Sequence, residues 1–70
     1  MSVARVTEIS ATSPDGFEAA VREGIARANQ TLRHIEGAWV KEQEVRISDG
    51  EITDFKVILK VTFLLEDAQG

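Results

Sequence analysis

The last third of the chain carries the clearest hydrophobic pattern. Residues 52–65 alternate as a β-strand does, with successive side chains directed to opposite faces. One face is apolar or β-branched throughout and carries Thr53, Phe55, Val57, Leu59, Val61, Phe63 and Leu65. The other face is mixed and carries Lys56, Ile58, Lys60, Thr62 and Leu64. Because this second face is too apolar for ordinary solvent-exposed surface, we expect both faces of the strand to be covered.

A strand and a helix are predicted before this run. Residues 3–11 are rich in apolar and β-branched side chains, which favours a first strand. Residues 12–16, Thr-Ser-Pro-Asp-Gly, predict a helix start, with Ser13 as the N-cap and Pro14 at the first helical position. The helix then shows one apolar stripe at spacings of three and four, made of Phe17, Val21, Gly24, Ile25, Ala28, Leu32 and Ile35. Gly37 is placed to end the helix or to begin the next strand.

The remainder of the chain predicts one long β-hairpin. Residues 38–47 form its first arm, Ser48-Asp49-Gly50 the turn, and residues 51–65 the second arm. Residues 66–70 form a short polar tail. The element order is β-α-β-β, an α+β fold in which a three-stranded antiparallel sheet wraps on one helix. We expect the last strand to lie between the other two, because it is the most apolar.

The short chain constrains how the second face is covered. The 70 residues make a single domain, residues 1–70, and such a domain buries only about 60% of the surface that its unfolded chain exposes. One helix covers one face of a sheet. The chain has no cysteine and one histidine, which excludes disulfides and a Cys/His zinc site as sources of stability. We therefore expect further copies of the chain to cover the second face, in a closed homo-oligomer.

Charge and motifs narrow the class of function. The net charge is −4 and no basic patch occurs, so nucleic-acid binding is not expected. The start MSVARV lacks an apolar signal region and no apolar run is long enough to span a bilayer, which favours a cytoplasmic protein without membrane contact. The lone His34 and the edge-strand acids Glu42 and Glu44 indicate neither a nucleophile with its base nor a protected carboxylate pair. We expect no enzymatic activity and no catalytic residues.

Trp39 is the residue of the second strand that most favours ligand binding. A lone Trp in a strand is either a packing anchor or a stacking surface for a planar ligand. Simple alternation places Lys41 and Gln43 on the same strand face as Trp39.

Two lysines of the last strand are the other candidates. Lys56 and Lys60 share one face, where they could attract an anion. Two other roles are open to them. They can snorkel from an intersubunit surface, or pair with acids such as Glu42 and Glu44.

Several short motifs, in their order and spacing, resemble those of the dodecin family. They are TSPDG at residues 12–16, Ala26-Arg27-Ala28 and Thr31-Leu32 in the helix, Leu59-Lys60-Val61-Thr62-Phe63 in the last strand, and Leu65-Glu66-Asp67 after it. The resemblance covers residues 3–67 and implies the β-α-β-β fold and a hollow shell of twelve subunits with cubic symmetry. The best-known dodecins bind flavins as stacked pairs and act as stores or buffers. Some members carry coenzyme A, and one branch is described as calcium-binding.

The resemblance also implies site residues. An alignment without gaps places the family's flavin-stacking Trp at Gly37, its flavin-binding Gln at Lys56, and its acidic residue near the ribityl chain at Glu42. Trp39 lies two residues after Gly37, on the same strand face and about 6–7 Å further along. Gly37, Trp39, Glu42 and Lys56 are therefore the candidate cofactor-binding residues, in a branch that lacks the usual stacking Trp and Gln.

Two functional classes remain open. One is a shell that binds or stores a planar cofactor, riboflavin or FMN, with Trp39 as a displaced stacking surface. The other is a structural or ion-binding shell that has lost flavin binding. Its candidate ligands for a divalent cation are carboxylates that would meet at symmetry axes, namely Glu42, Glu44, Asp49, Glu51 and Asp54. The alternative is that these acids are neutralised locally by Lys41, Arg46, Lys56 and Lys60.

Overall fold

The computed structural model describes residues 3–65. Its elements are strand β1 (Ala4–Ser13), helix α1 (Phe17–Thr31), strand β2 (Ile35–Ser48) and strand β3 (Glu51–Leu64). The strands pair antiparallel in the order β1-β3-β2, so the last strand lies in the centre. The predicted α+β fold with β-α-β-β order is confirmed. The predicted tail, residues 66–70, lies outside the described residues.

The helix begins later than the sequence predicts. Ser13 is the last residue of β1, where it pairs with Phe55 and is fully buried. Its hydroxyl accepts a hydrogen bond from the backbone N–H of Asp15 at 3.1 Å, which closes a turn before the helix. Gly16 precedes the helix with a φ of 134°, a backbone conformation that favours glycine. The predictions of Ser13 as N-cap and Pro14 as first helical residue are therefore wrong, because pairing with β3 extends the strand to Ser13.

The helix also ends earlier than predicted. α1 stops at Thr31, and Leu32 has an extended backbone with φ of −105° and ψ of 147°. Ile35, expected on the helical stripe, starts β2 because it pairs with β3, and Gly37 lies inside that strand. Leu32 and Ile35 still pack against the core, so the pattern predicts their packing correctly and their secondary structure wrongly.

Within residues 3–65, no helix is long and apolar enough to cross a membrane.

The core lies between α1 and one face of β3. The core side chains that are at most 1% exposed are Ala20, Val57, Leu59 and Val61. The helix lies close to the sheet at Gly24, where a Cβ atom would lie only 3.0 Å from the Cβ atom of Ala11. Glycine at position 24 therefore allows the helix to approach the sheet this closely. At the start of the helix, the rings of Phe17 and Phe55 meet edge to face with centroids 5.1 Å apart.

The hairpin contains the predicted turn and three irregularities. Asp49 and Gly50 have φ values of 54° and 79°, as a two-residue type I′ turn requires. The pairing of β2 with β3 shifts register between residues 35 and 37, 40 and 42, and 46 and 47. The second shift leaves Lys41 without a partner in β3 and resets the alternation of faces along β2.

The side of the sheet opposite α1 is called the outer face below. No element within residues 3–65 covers it, because α1 packs against the other side of β1 and β3. By the strand register its residues include Val6, Glu8, Ser10, Gly37, Trp39, Glu42, Glu44, Lys56, Ile58, Lys60 and Thr62. Val6 and Trp39 are 47% and 52% exposed in the single chain. Covering of this face by further copies stays a prediction.

Candidate functional site

Strand pairing brings all four predicted cofactor-binding residues to the outer face. The directly opposed pairs are Gly37 with Thr62, Trp39 with Lys60, Glu42 with Ile58, and Glu44 with Lys56. Side chains directly opposite each other in an antiparallel ladder lie on the same face. Lys56 and Thr62 are six residues apart, so the set extends over about 20 Å. Gly37 and Trp39 thus lie at one end of a strip and Lys56 at the other.

The bulge at Lys41 changes which side chains accompany Trp39. Gln43 is opposite a buried core residue of β3 and therefore lies on the helix side of the sheet. The prediction that Gln43 shares a face with Trp39 is wrong, because simple alternation does not count the extra residue. Glu42 and Glu44 share a face with each other, as the sequence suggests, and they share it with Trp39.

The indole of Trp39 lies at the surface of the subunit. It is 52% exposed, so it is no packing anchor for the core of the single chain. The Lys60 ammonium lies 6.0 Å from the centroid of the indole ring, at the outer limit of a cation–π contact. The exposed ring is therefore available to stack on a planar ligand or to pack against a neighbouring subunit.

Glu8 of β1 belongs to this site, although the sequence pattern does not single it out. It is opposite Lys60 in the ladder between β1 and β3. Its Oε2 atom accepts a hydrogen bond from Lys41 Nζ at 3.0 Å and lies 3.8 Å from Lys60 Nζ. Lys41 thus reaches across the central strand from β2 to β1. The signal for Glu8 is the register of β1 against β3, which no local motif contains.

These contacts shift two pKa values in opposite directions. The hydrogen bond from Lys41 and its charge lower the pKa of Glu8 below the ordinary value of 4.5, partial desolvation opposes this, and the Lys60 charge adds a smaller decrease. The same hydrogen bond and the charge of Glu8 raise the pKa of Lys41 above 10.5, with a lesser contribution from Glu42. Both groups therefore remain charged at neutral pH. Because the pair is exposed, its effect on folding stability is small.

Gly37 and Lys56 are the two positions that are expected to differ from the flavin-binding pattern. Lys56 Nζ lies 3.9 Å from Glu44 Oε1, which agrees with the alternative that this lysine pairs with an acid. At Gly37, a Cβ atom would meet no other atom within 4 Å. Position 37 therefore offers no ring for stacking, yet it has room for a larger side chain.

The acids predicted to bind a cation do not form a site within one chain. Among residues 3–65, no group of three or more Asp, Glu, His or Cys side chains is placed to hold a metal ion. A cation site built from these acids would need side chains from several copies.

His34 lies between α1 and β2 with a φ of 60°, and its carbonyl accepts a hydrogen bond from the Leu64 N–H at 3.0 Å.

Comparison with known proteins identifies the class of protein. The family model described as Dodecin matches residues 3–66, and the chain belongs to the dodecin family. A dodecin from Thermus thermophilus is 38% identical over 65 residues, which cover 93% of this chain and 94% of that protein. A calcium dodecin from Mycobacterium tuberculosis is 39% identical over 70 residues, which cover 99% of this chain and 97% of that protein.

Solved dodecin structures share the fold. A dodecin from Streptomyces davaonensis matches with a TM-score of 0.90 and 41% identity, over 94% of this chain and 97% of that one. The calcium dodecin of Mycobacterium tuberculosis, described as calcium chelating with a novel calcium-binding site, matches with a TM-score of 0.79 and 32% identity over 97% of both chains. The resemblance to dodecins is confirmed, and the absence of the usual stacking Trp and Gln stays a prediction.

Replacing Lys41 is expected to change the ionisation of Glu8 more than replacing Lys60. In Lys41→Gln the carboxylate loses its hydrogen bond and its nearest positive charge, so the pKa of Glu8 should rise toward 4.5. Lys60→Gln removes a weaker influence and should raise the pKa of Glu8 less. NMR titration of the side-chain carboxyl carbon measures both changes. Equal shifts in the two variants, or no shift in Lys41→Gln, would contradict this geometry.

The lowered pKa of Glu8 also determines in which direction the stability of the fold changes with pH. A carboxyl with a lowered folded-state pKa stabilises the fold above its unfolded pKa, and this contribution is lost as the pH falls through the folded value. On acidification below 4.5, Glu8→Gln should therefore lose less stability than the wild type. Thermal unfolding at a series of pH values measures the difference, which should be small because the pair is exposed.

Proposed function

We propose that the chain forms a closed shell of twelve identical subunits that binds and stores a planar cofactor. The observation that carries the proposal is the outer face, which is uncovered in one subunit and presents a half-exposed Trp39 among charged side chains. Family membership supports it, because dodecins are known as oligomeric binding and storage proteins rather than enzymes. We also propose that residues 1–70 form one domain and that the protein is cytoplasmic.

The proposed cofactor is a flavin, riboflavin or FMN, bound weakly. Trp39 supplies a stacking surface two residues away from the position of the family's stacking Trp. Glu42 keeps the acidic character of the family residue that lies near the ribityl chain. Gly37 has no ring to stack on a flavin. Lys56 has a donor-only ammonium, whereas the amide of the usual Gln both donates and accepts hydrogen bonds. Two of the contacts that hold a flavin in the family are therefore missing.

A second candidate function is an ion-binding shell. It is favoured by the 39% identity to a protein named calcium dodecin. Carboxylates from several subunits would have to meet at a symmetry axis, since residues 3–65 of one chain hold no group of three. The candidates are Glu42, Glu44, Asp49, Glu51 and Asp54. The 3.9 Å pair between Lys56 and Glu44 supports local neutralisation for one of them.

Ile58→Asp is expected to dissociate the shell. Ile58 lies on the central strand of the outer face, so in the assembly the new carboxylate would be buried without a partner. An unpaired buried charge destabilises by about 3–5 kcal/mol. Light scattering coupled to size-exclusion chromatography measures the mass, and circular dichroism checks that the subunit stays folded. Asn29→Asp adds the same charge at an exposed helix position and should leave the mass unchanged. A wild-type chain that is a monodisperse monomer at micromolar concentration would refute the shell.

Gly37→Trp and Lys56→Gln are expected to strengthen riboflavin binding. Stacking on an aromatic ring contributes about 0.5–1.5 kcal/mol beyond buried area, which is up to about tenfold in affinity. Quenching of riboflavin fluorescence measures the dissociation constants. Gly37→Ala fills the same open space without a ring and serves as the matched control. Nanomolar binding of riboflavin by the wild type would show that these two positions do not limit affinity.

Millimolar calcium is expected to raise the unfolding temperature if rings of carboxylates hold a cation. A ligand that binds only the folded assembly stabilises it by mass action, whereas NaCl of matched ionic strength acts only by screening. Thermal unfolding with each salt, and with a chelator added after calcium, separates the two effects. Equal midpoints in the two salts would exclude the ion-binding function.

A further inference from the structure

The Lys60 ammonium is the positive charge that lies beside the Trp39 ring. It lies 6.0 Å from the ring centroid and 3.8 Å from Glu8 Oε2, and its side chain is 35% exposed. Within residues 3–65 it donates no hydrogen bond, whereas Lys41 donates one to the same carboxylate at 3.0 Å. An ammonium has three donors and prefers anionic acceptors. The donors of Lys60 are thus available to a ligand, and those of Lys41 are partly occupied.

An exposed aromatic ring with an adjacent ammonium matches a particular class of ligand. A planar ring can stack on the indole, and an acidic substituent on that ring can accept charge-assisted hydrogen bonds from the ammonium. The existing contact between Lys60 and the indole is near its distance limit, so a stacked ligand displaces little. The ligand that uses both groups is therefore aromatic and anionic.

We propose that Trp39 and Lys60 form a binding site for planar aromatic ligands that carry an acidic group, and that Glu8 competes with that group for Lys60. The proposal rests on the proposed function only in taking Trp39 as a stacking surface. Glu8 acts here as an internal anion that positions Lys60 and limits its affinity for external anions. It thereby sets how strongly the site discriminates charged from neutral rings.

A pair of probes that differ only in charge tests the site. The probes are 2-naphthyl phosphate and 2-naphthol, titrated against the assembled protein by calorimetry and by quenching of Trp39 fluorescence. The wild type should bind the phosphate about tenfold more tightly, as one hydrogen bond between charged groups allows. In Lys60→Gln the two affinities should become nearly equal. In Glu8→Gln the phosphate should bind several-fold more tightly than in the wild type, with naphthol unchanged.

A control variant separates the site from general charge effects. Arg22→Gln removes the same charge from an exposed pair with Glu18 on α1 and should keep the wild-type ratio of affinities. Equal binding of the two probes by the wild type, an unchanged ratio in Lys60→Gln, or no binding of either probe would overturn the site. An unchanged phosphate affinity in Glu8→Gln would overturn the competition.

The outcomes for flavin and for this site are distinguishable. If riboflavin fails to bind while naphthyl phosphate shows the expected preference, flavin storage is rejected and the anionic site stands. If riboflavin binds firmly while the two naphthyl probes bind equally, flavin storage stands and the anionic site is rejected.

Discussion

The packing of a single helix against one side of β3 determines which side of the sheet stays uncovered in one subunit. Val57, Leu59 and Val61 are buried there, and full burial of such side chains stabilises a fold by about 1.5–3 kcal/mol each. The helix can lie this close because Gly24 has no side chain to meet Ala11. With its one helix placed over β1 and β3, the described chain has no further element to cover the opposite side of the sheet.

The outer face carries both charged and apolar side chains, and this mixture suits contact with further copies of the chain. Most of its charged groups lie close to an opposite charge, since Lys41 and Lys60 face Glu8 and Lys56 faces Glu44. A face whose charges are paired internally can be brought against another surface without leaving isolated charges buried. The same pairing leaves the ring of Trp39 as its largest exposed apolar group. The proposed assembly and the proposed ligand binding would thus use the same set of side chains.

The sequence predicts the parts of this structure that local periodicity determines. Alternation along β3 and the Asp-Gly turn are both found, because each depends on neighbouring residues alone. The ends of the helix are predicted wrongly, since pairing with β3 decides that Ser13 and Ile35 belong to strands. For the site, the four candidate residues share a face, although simple alternation places Glu42 on the face opposite Trp39. Glu8 and the reversed position of Gln43 depend on register and on a bulge, which periodicity does not encode.

The three register shifts along β2 bear on the form that an assembly can take. In this sheet β1 and β2 are the edge strands, and β2 has 14 residues. A long, regular edge strand is a template on which further strands add without limit, as in amyloid fibrils. Each shift interrupts the ladder and increases the local twist, so the backbone groups of β2 do not form one straight row. The irregular edge therefore disfavours growth into a fibril, whereas the proposed finite shell would form through side-chain contacts across faces.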